Sequence, residues 1–236
     1  MTFWEHLEEL RWMFVRMLAA LAICLVPSFI FMPWIFEHIV MRTAVKGGFD
    51  IINIEVTSQF FTHMKMSFYI AIIAVFPYLL FELWRFISPA LYAQEKKGAS
   101  KAFLLGGSLF YIGCAVGYFV VFPVTFRFLA GYELTSMVHN TINLNSYTGL
   151  FNSIILIFGL CFELPMLLWI LSLLGIINRD FLKKFRRHAI VVILILAALI
   201  TPTGDPVTLA IVFVPLYLLY EFSILLVKPA QRESEG

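Results

Sequence analysis

From Met17 to Phe36 the chain runs without a charged residue, and it does so again from Met66 to Phe81 and from Ala102 to Phe126. About 20 mostly apolar residues let an α-helix cross the roughly 30 Å hydrocarbon core of a bilayer. Within that core a backbone can satisfy its own polar groups only as a helix or a closed barrel. A fourth apolar stretch lies between about Tyr147 and Asn178, interrupted by one carboxylate, Glu163. Ala189–Ile200 and Val207–Tyr220 follow, with 12 and 14 residues, or about 18 and 21 Å of helix. The polar turn from Thr201 to Pro206 separates them as two short spans; one helix bent back inside the bilayer is the alternative.

Composition closes off a soluble fold. Apolar residues make up 61% of the 236 and charged residues 14%, against roughly 45–50% and about 25% in soluble domains. A net charge of +2 gives no broad basic surface for a nucleic acid. Cys24, Cys114 and Cys161 all lie in apolar stretches without a CxxC or Cys/His cluster. That pattern suggests neither a disulfide framework nor a metal site. No GxxxxGK[ST] loop, HExxH or GxSxG occurs, so neither an enzyme nor a cofactor is expected.

The expected fold is therefore an all-α polytopic membrane protein: six transmembrane helices with short fifth and sixth spans, read as one integral membrane domain over residues 1–236. Six crossings put both termini on one side. Arg42, Lys46, Lys65 and Arg127 fall on the other side, and the remaining thirteen of the 17 Lys and Arg lie with the termini. The positive-inside rule then places the termini, including a tail over 228–236, in the cytoplasm. The acidic opening of the chain differs from the basic start of a cleavable signal. Pro27, Pro33, Pro77, Pro123, Pro165 and Pro215 lie in or beside the spans, where each removes a backbone donor and kinks its helix. Kinked helices build concave bundles.

Some polar residues resist a bland reading. Phe3, Leu7, Leu10 and Phe14 recur at helical spacing, which predicts an amphipathic interfacial helix over residues 1–14, anchored by Trp4 and Trp12. Its other side carries Glu5, Glu8 and Glu9, where a helix made only to lie on a membrane would carry Lys. These acids point to a cationic partner, the alternative being an internal pair such as Glu8 with Arg11. In the loop after the second span, Ser88-Pro89 breaks the helix, and Glu95 stands among lysines that can pair with it. Glu163 is costly in mid-membrane, about 2.5–3.5 kcal/mol if ionised, so it should face a cavity or a partner surface, or be protonated. Asp205 can cap the sixth helix, with Pro206 at the first helical position. Residues 75–82 (VFPYLLFE) and 214–221 (VPLYLLYE) echo each other; shared apolar composition accounts for so short a match.

Taken in order, these residues resemble the TatC family. His6-Leu7-Glu8-Glu9-Leu10-Arg11 resembles its HLxELR opening, and Phe86-Ile87-Ser88-Pro89-Ala90-Leu91-Tyr92 with Glu95-Lys96 its first cytoplasmic loop. Phe110-Tyr111-Ile112-Gly113, Tyr118 to Pro123, Phe162-Glu163-Leu164-Pro165, and Thr201-Pro202 with Asp205 continue the likeness. The resemblance implies six helices in a concave bundle in a prokaryotic inner membrane, and several copies per complex. It implies single-span TatA- and TatB-type partners and recognition of twin-arginine signal peptides on folded cargo, moved by the proton-motive force. It assigns signal-peptide binding to Glu9, Glu95 and Phe86, with Glu8, Arg11 and Pro89 beside them. Glu163, Pro165, Thr201 and Asp205 fall to partner contact and translocation. The chain departs from some members at Leu209, which stands where they carry Gln. A small proton-coupled transporter using Glu163 is the rival reading.

Overall fold

The computed structural model describes residues 3–88, 93–133, 135, 140–201 and 205–227, with the side chains of Phe3 and residues 93–99 left aside. Helix α1 spans Phe3–Ile35. It runs into a π-helical turn at Phe36–Val40, a short α2 at Arg42–Gly47 and strand β1 at Ile51–Ile52. Then come α3 (Ser58–Ile87), α4 (Ala93–Val116), a second π-helical turn at Gly117–Val121 and α5 (Phe122–Gly131). Strand β2 (Ile142–Asn143) precedes α6 (Leu144–Cys161) and α7 (Leu164–Leu173). Short α8 (Arg179–Lys184), α9 (Arg186–Ile200) and α10 (Pro206–Leu226) complete the order.

Among the described residues, five helical segments are long and apolar enough to cross a membrane: Trp4–Gly47, Ser58–Ile87, Ser100–Gly131, Leu144–Leu173 and Pro206–Leu226. Helix α9, with 15 residues, supplies the short fifth span. The sixth is longer than its uncharged run, because α10 has 21 residues and runs from Pro206 past Glu221 to Leu226. At the N-terminus, residues 3–14 and the first span share one unbroken helix, α1, of 33 residues. Nothing between Phe3 and Val26 is Gly or Pro, and the Leu, Glu, Met and Ala there are good helix formers.

The chain forms two compact units. One comprises Met1–Pro89 and Ala115–Leu156, the other Ala90–Cys114 and Ile157–Gly236. In the first unit α1 packs along α3, and β1 pairs in parallel with β2, Ile51 opposite Ile142. The carbonyl that Pro33 leaves without its helical donor is served from a neighbouring helix. Pro33 has no N–H for the Phe29 carbonyl; the His63 ring donates to that oxygen at 2.9 Å and stacks on the Phe29 ring. Tyr118 donates to the Ile39 carbonyl at 3.0 Å and Tyr147 to that of Val40, serving oxygens at the end of the first π-helical turn. Phe122, Phe126, Tyr147 and Phe151 meet edge-to-face around them, a geometry aromatic quadrupoles favour.

In the second unit α10 packs on α7, α8 and α9, while glycines bring α4 against the end of α6. A Cβ on Gly113 would stand 2.5 Å from the Phe158 carbonyl oxygen, and one on Gly159 2.7 Å from the Phe110 ring. Small residues at such crossings let backbones approach where lipid supplies no hydrophobic drive.

Candidate functional site

Sequence placed three carboxylates on the first helix, and the fold gathers them. Glu5, Glu8 and Glu9 line a groove of about 350 Å³ with Trp12 and Arg16 of α1 and Arg85 of α3. Spacings of three and four residues put Glu5, Glu8 and Glu9 along one side of a helix. Their roles there differ. Glu8 pairs with Arg11 at 3.6 Å, both side chains about two-thirds exposed, which is worth roughly 0–1 kcal/mol in water. The Arg11 guanidinium also lies 5.6 Å from the centre of the Trp12 ring. Glu9 is half-buried, and its Oε2 is buried without a hydrogen-bond partner among the described residues. A carboxylate oxygen held this way is an acceptor still to be used, since an unmet buried polar atom costs about 1–3 kcal/mol.

Phe86, near the end of α3, stacks on His6 of α1 with ring centroids 4.4 Å apart and planes 20° from parallel. It thereby ties the HLxELR-like segment to the helix leading into the loop. Pro89 lies outside the described residues. Glu95 falls in the first turn of α4, its side chain also outside the described set.

Two residues that sequence reasoning passed over stand beside the groove. Glu82 is 2% exposed, and its Oε2 accepts from Arg16 Nε at 2.9 Å and Arg16 Nη2 at 2.8 Å. Its Oε1 accepts from the Tyr78 hydroxyl at 2.9 Å. The second unit repeats the device. Tyr217 donates to Glu221 Oε1 at 3.0 Å, and Arg186 Nη2 lies 2.6 Å from Glu221 Oε2. Segments 75–82 and 214–221 therefore share more than apolar composition: each sets a Tyr one turn before a Glu and draws an Arg from another helix. Tyr-x-x-x-Glu at the end of a long apolar run was the signal available in the sequence.

Glu163 sits at the break between α6 and α7, with Pro165 at the start of α7 and buried. The turn follows from Pro165, which has no N–H for the Cys161 carbonyl and whose ring crowds that carbonyl. The Glu163 side chain is 5% exposed, and among the described residues neither carboxylate oxygen has a hydrogen-bond partner. Its Oε2 would lie 2.8 Å, and the Met166 sulfur 2.7 Å, from a Cβ on Gly106. Glycine at 106 is what admits the carboxylate beside α4.

After α9, Thr201 is buried and donates to the Ala197 carbonyl at 3.0 Å. Asp205 Oδ1 accepts from the Thr208 amide at 2.8 Å, the N-cap anticipated for α10. Replacing Asp205 with Ala should cost about 1 kcal/mol of stability. Thermal unfolding in detergent should show it as a loss of about 2–4 °C in Tm.

The sequence profile of the family described as Sec-independent protein translocase protein (TatC) matches residues 5–215. Proteins of that description include one from Helicobacter pylori, 36% identical over 234 residues that cover 98% of this chain and 90% of that one. One from Desulforapulum autotrophicum is 35% identical over 225 residues, covering 94% and 83%. A crystal structure of the twin-arginine translocase receptor TatC in the detergent DDM superposes with a TM-score of 0.85 at 32% identity, covering 94% of this chain and 99% of that one. A second crystal structure of that receptor gives 0.82, with coverage of 94% and 97%. Six helical spans, ordered motifs from His6 to Asp205 and a match over nearly the whole length agree: the chain belongs to the TatC family of Sec-independent protein translocases, membrane components of protein transport.

Proposed function

We infer that this chain is the signal-peptide receptor of a twin-arginine translocase, lying in the inner membrane of a prokaryote with both termini in the cytoplasm. The observation that carries the reading is the groove of Glu5, Glu8 and Glu9, with one Glu9 oxygen buried and unpartnered among the described residues. A guanidinium is a planar fork of donors that meets a carboxylate through two parallel N–H···O bonds. An ammonium offers a point charge without that fork. Two adjacent arginines therefore need two carboxylates. Glu9 is the first, and Glu95, which stands at the family's second acidic position, is the other. Phe86, Pro89, Glu8 and Arg11 shape and tune the approach. The apolar part of the signal then lies along membrane-spanning helix.

Export of folded cargo would use TatA- and TatB-type single-span partners, several copies of this chain and the proton-motive force. Glu163, Pro165, Thr201 and Asp205 belong to that stage. The rival, a small proton-coupled transporter, needs several polar groups around one cavity. Glu221, the second acid it could recruit, is already engaged by Arg186 and Tyr217. The purified protein should co-isolate a signal peptide bearing paired arginines and not one bearing paired lysines. Equal recovery of both peptides, or transport of small solutes by the protein alone in liposomes, would overturn the reading.

A further inference from the structure

We propose that Glu82 is a positioning residue for the recognition groove: it sequesters Arg16 so that this arginine does not occupy the carboxylates meant for the incoming peptide. The proposal rests on the groove's function as a guanidinium receptor and adds a self-competition that the fold suppresses.

Two lining residues, Arg16 and Arg85, carry the same chemical group as the proposed ligand, and of the two Arg16 stands on the same helix as the acceptors. Glu9 and Arg16 are seven residues apart, two turns of helix, so they share a face about 10 Å apart along the axis. Helical side chains lean toward the N-terminus, which aims Arg16 back toward Glu9. The two are close enough for the Glu9 charge to act on Arg16. What turns the guanidinium aside is Glu82 on α3. Both Nε and Nη2 of Arg16 converge on Oε2, and the other oxygen is fixed by Tyr78.

Glu82 is buried while about a third of the Arg16 side chain is exposed at the groove. The charge that holds Arg16 is therefore shielded from an incoming peptide, and the charge that it holds is not. Free of Glu82, Arg16 would be an intramolecular ligand for Glu9, present at high effective concentration. A second Tyr–Glu–Arg device, at Tyr217, Glu221 and Arg186, is built in the same way. The local geometry is thus a recurrent way to settle a carboxylate near a helix end, and at Arg16 it stands beside the acidic groove.

The test is binding of a fluorescent twin-arginine peptide to the full chain in nanodiscs, with a paired-lysine peptide as reference. Wild-type discrimination between the two peptides establishes the receptor reading; if the wild type shows none, that reading fails before this one is tried. Given discrimination, Glu82→Gln should weaken twin-arginine binding by about tenfold. The double variant Arg16→Gln with Glu82→Gln should recover most of that loss, because the competitor is gone. A purely structural clamp predicts the opposite, with the double variant as weak as the single one or weaker. Unchanged binding by an assembled Glu82→Gln protein, or loss that the second substitution does not recover, overturns the proposal. Should Gln at position 82 prevent assembly, Glu82→Asp keeps the charge but withdraws the acceptor by one methylene. It should show a smaller loss that is again relieved by Arg16→Gln, and unchanged binding by the assembled Asp protein counts against the proposal as fully as with Gln.

Discussion

Glu9→Gln should reduce affinity for a twin-arginine peptide by about 10- to 100-fold, while Glu8→Gln on the same helix should cost about fivefold or less. The difference follows from surroundings rather than residue type. Glu8 is well exposed and shares its charge with Arg11 at 3.6 Å. An interaction of that kind is worth about 0–1 kcal/mol, so its loss moves a dissociation constant by no more than about fivefold. Glu9 is half-buried with one oxygen shielded and unpaired among the described residues. A charge-assisted bond there contributes about 1.5–3 kcal/mol, or about 10- to 150-fold. Gln keeps the shape and one acceptor but loses the charge, so the variant isolates the ionic part. Titration of labelled peptide into nanodiscs carrying each variant checks the ordering. Glu95→Gln should fall with Glu9→Gln if the two carboxylates divide the arginine pair between them. Wild-type affinity in both would remove the acceptor assignment.

Much of this architecture is written locally. Uncharged runs mark the first three spans because lipid excludes charge, and Pro165 beside Glu163 marks the break between α6 and α7. Asp205-Pro206 marks a helix start because an acceptor followed by proline suits the cap and first-turn positions. These features depend on neighbours a few residues apart, so a single sequence shows them. What it hid depends on distant partners. Glu82 read as the polar end of a span because its counter-ion, Arg16, is 66 residues away. The sixth span seemed to stop at Tyr220 because a hydropathy count ends at Glu221, whereas the helix continues there with that charge met by Arg186. At the N-terminus, the change from polar to apolar residues marks where the solvent changes, and the backbone hydrogen bonds of α1 run straight through it. The acidic groove shows the same division: its acids were legible as an oddity on α1, but Arg85 and the Glu82 clamp come from α3 and become neighbours only once the helices pack.

Glu163→Leu should raise the thermal stability of the isolated chain and abolish export. The wild-type side chain is 5% exposed, and neither oxygen has a partner among the described residues. Leucine is close in volume to glutamate and brings no polar atom into the space beside Gly106 and Met166. Removing an unsatisfied carboxyl from such surroundings should gain about 1–3 kcal/mol, which for a chain of this size is several degrees in Tm. Glu163→Gln keeps an unsatisfied polar group and should give little of that gain, so the pair of variants separates polarity from packing. The functional half follows from the same observation. A destabilising group that the isolated chain leaves unmet is best explained by a state in which it is met, and assembly with partner helices or passage of cargo supplies one. Detergent unfolding curves and an export assay with a twin-arginine reporter test both halves. A less stable Leu variant would mean that the isolated chain already satisfies the carboxylate. A more stable variant that still exports would mean that the residue is a tolerated defect with no part in translocation.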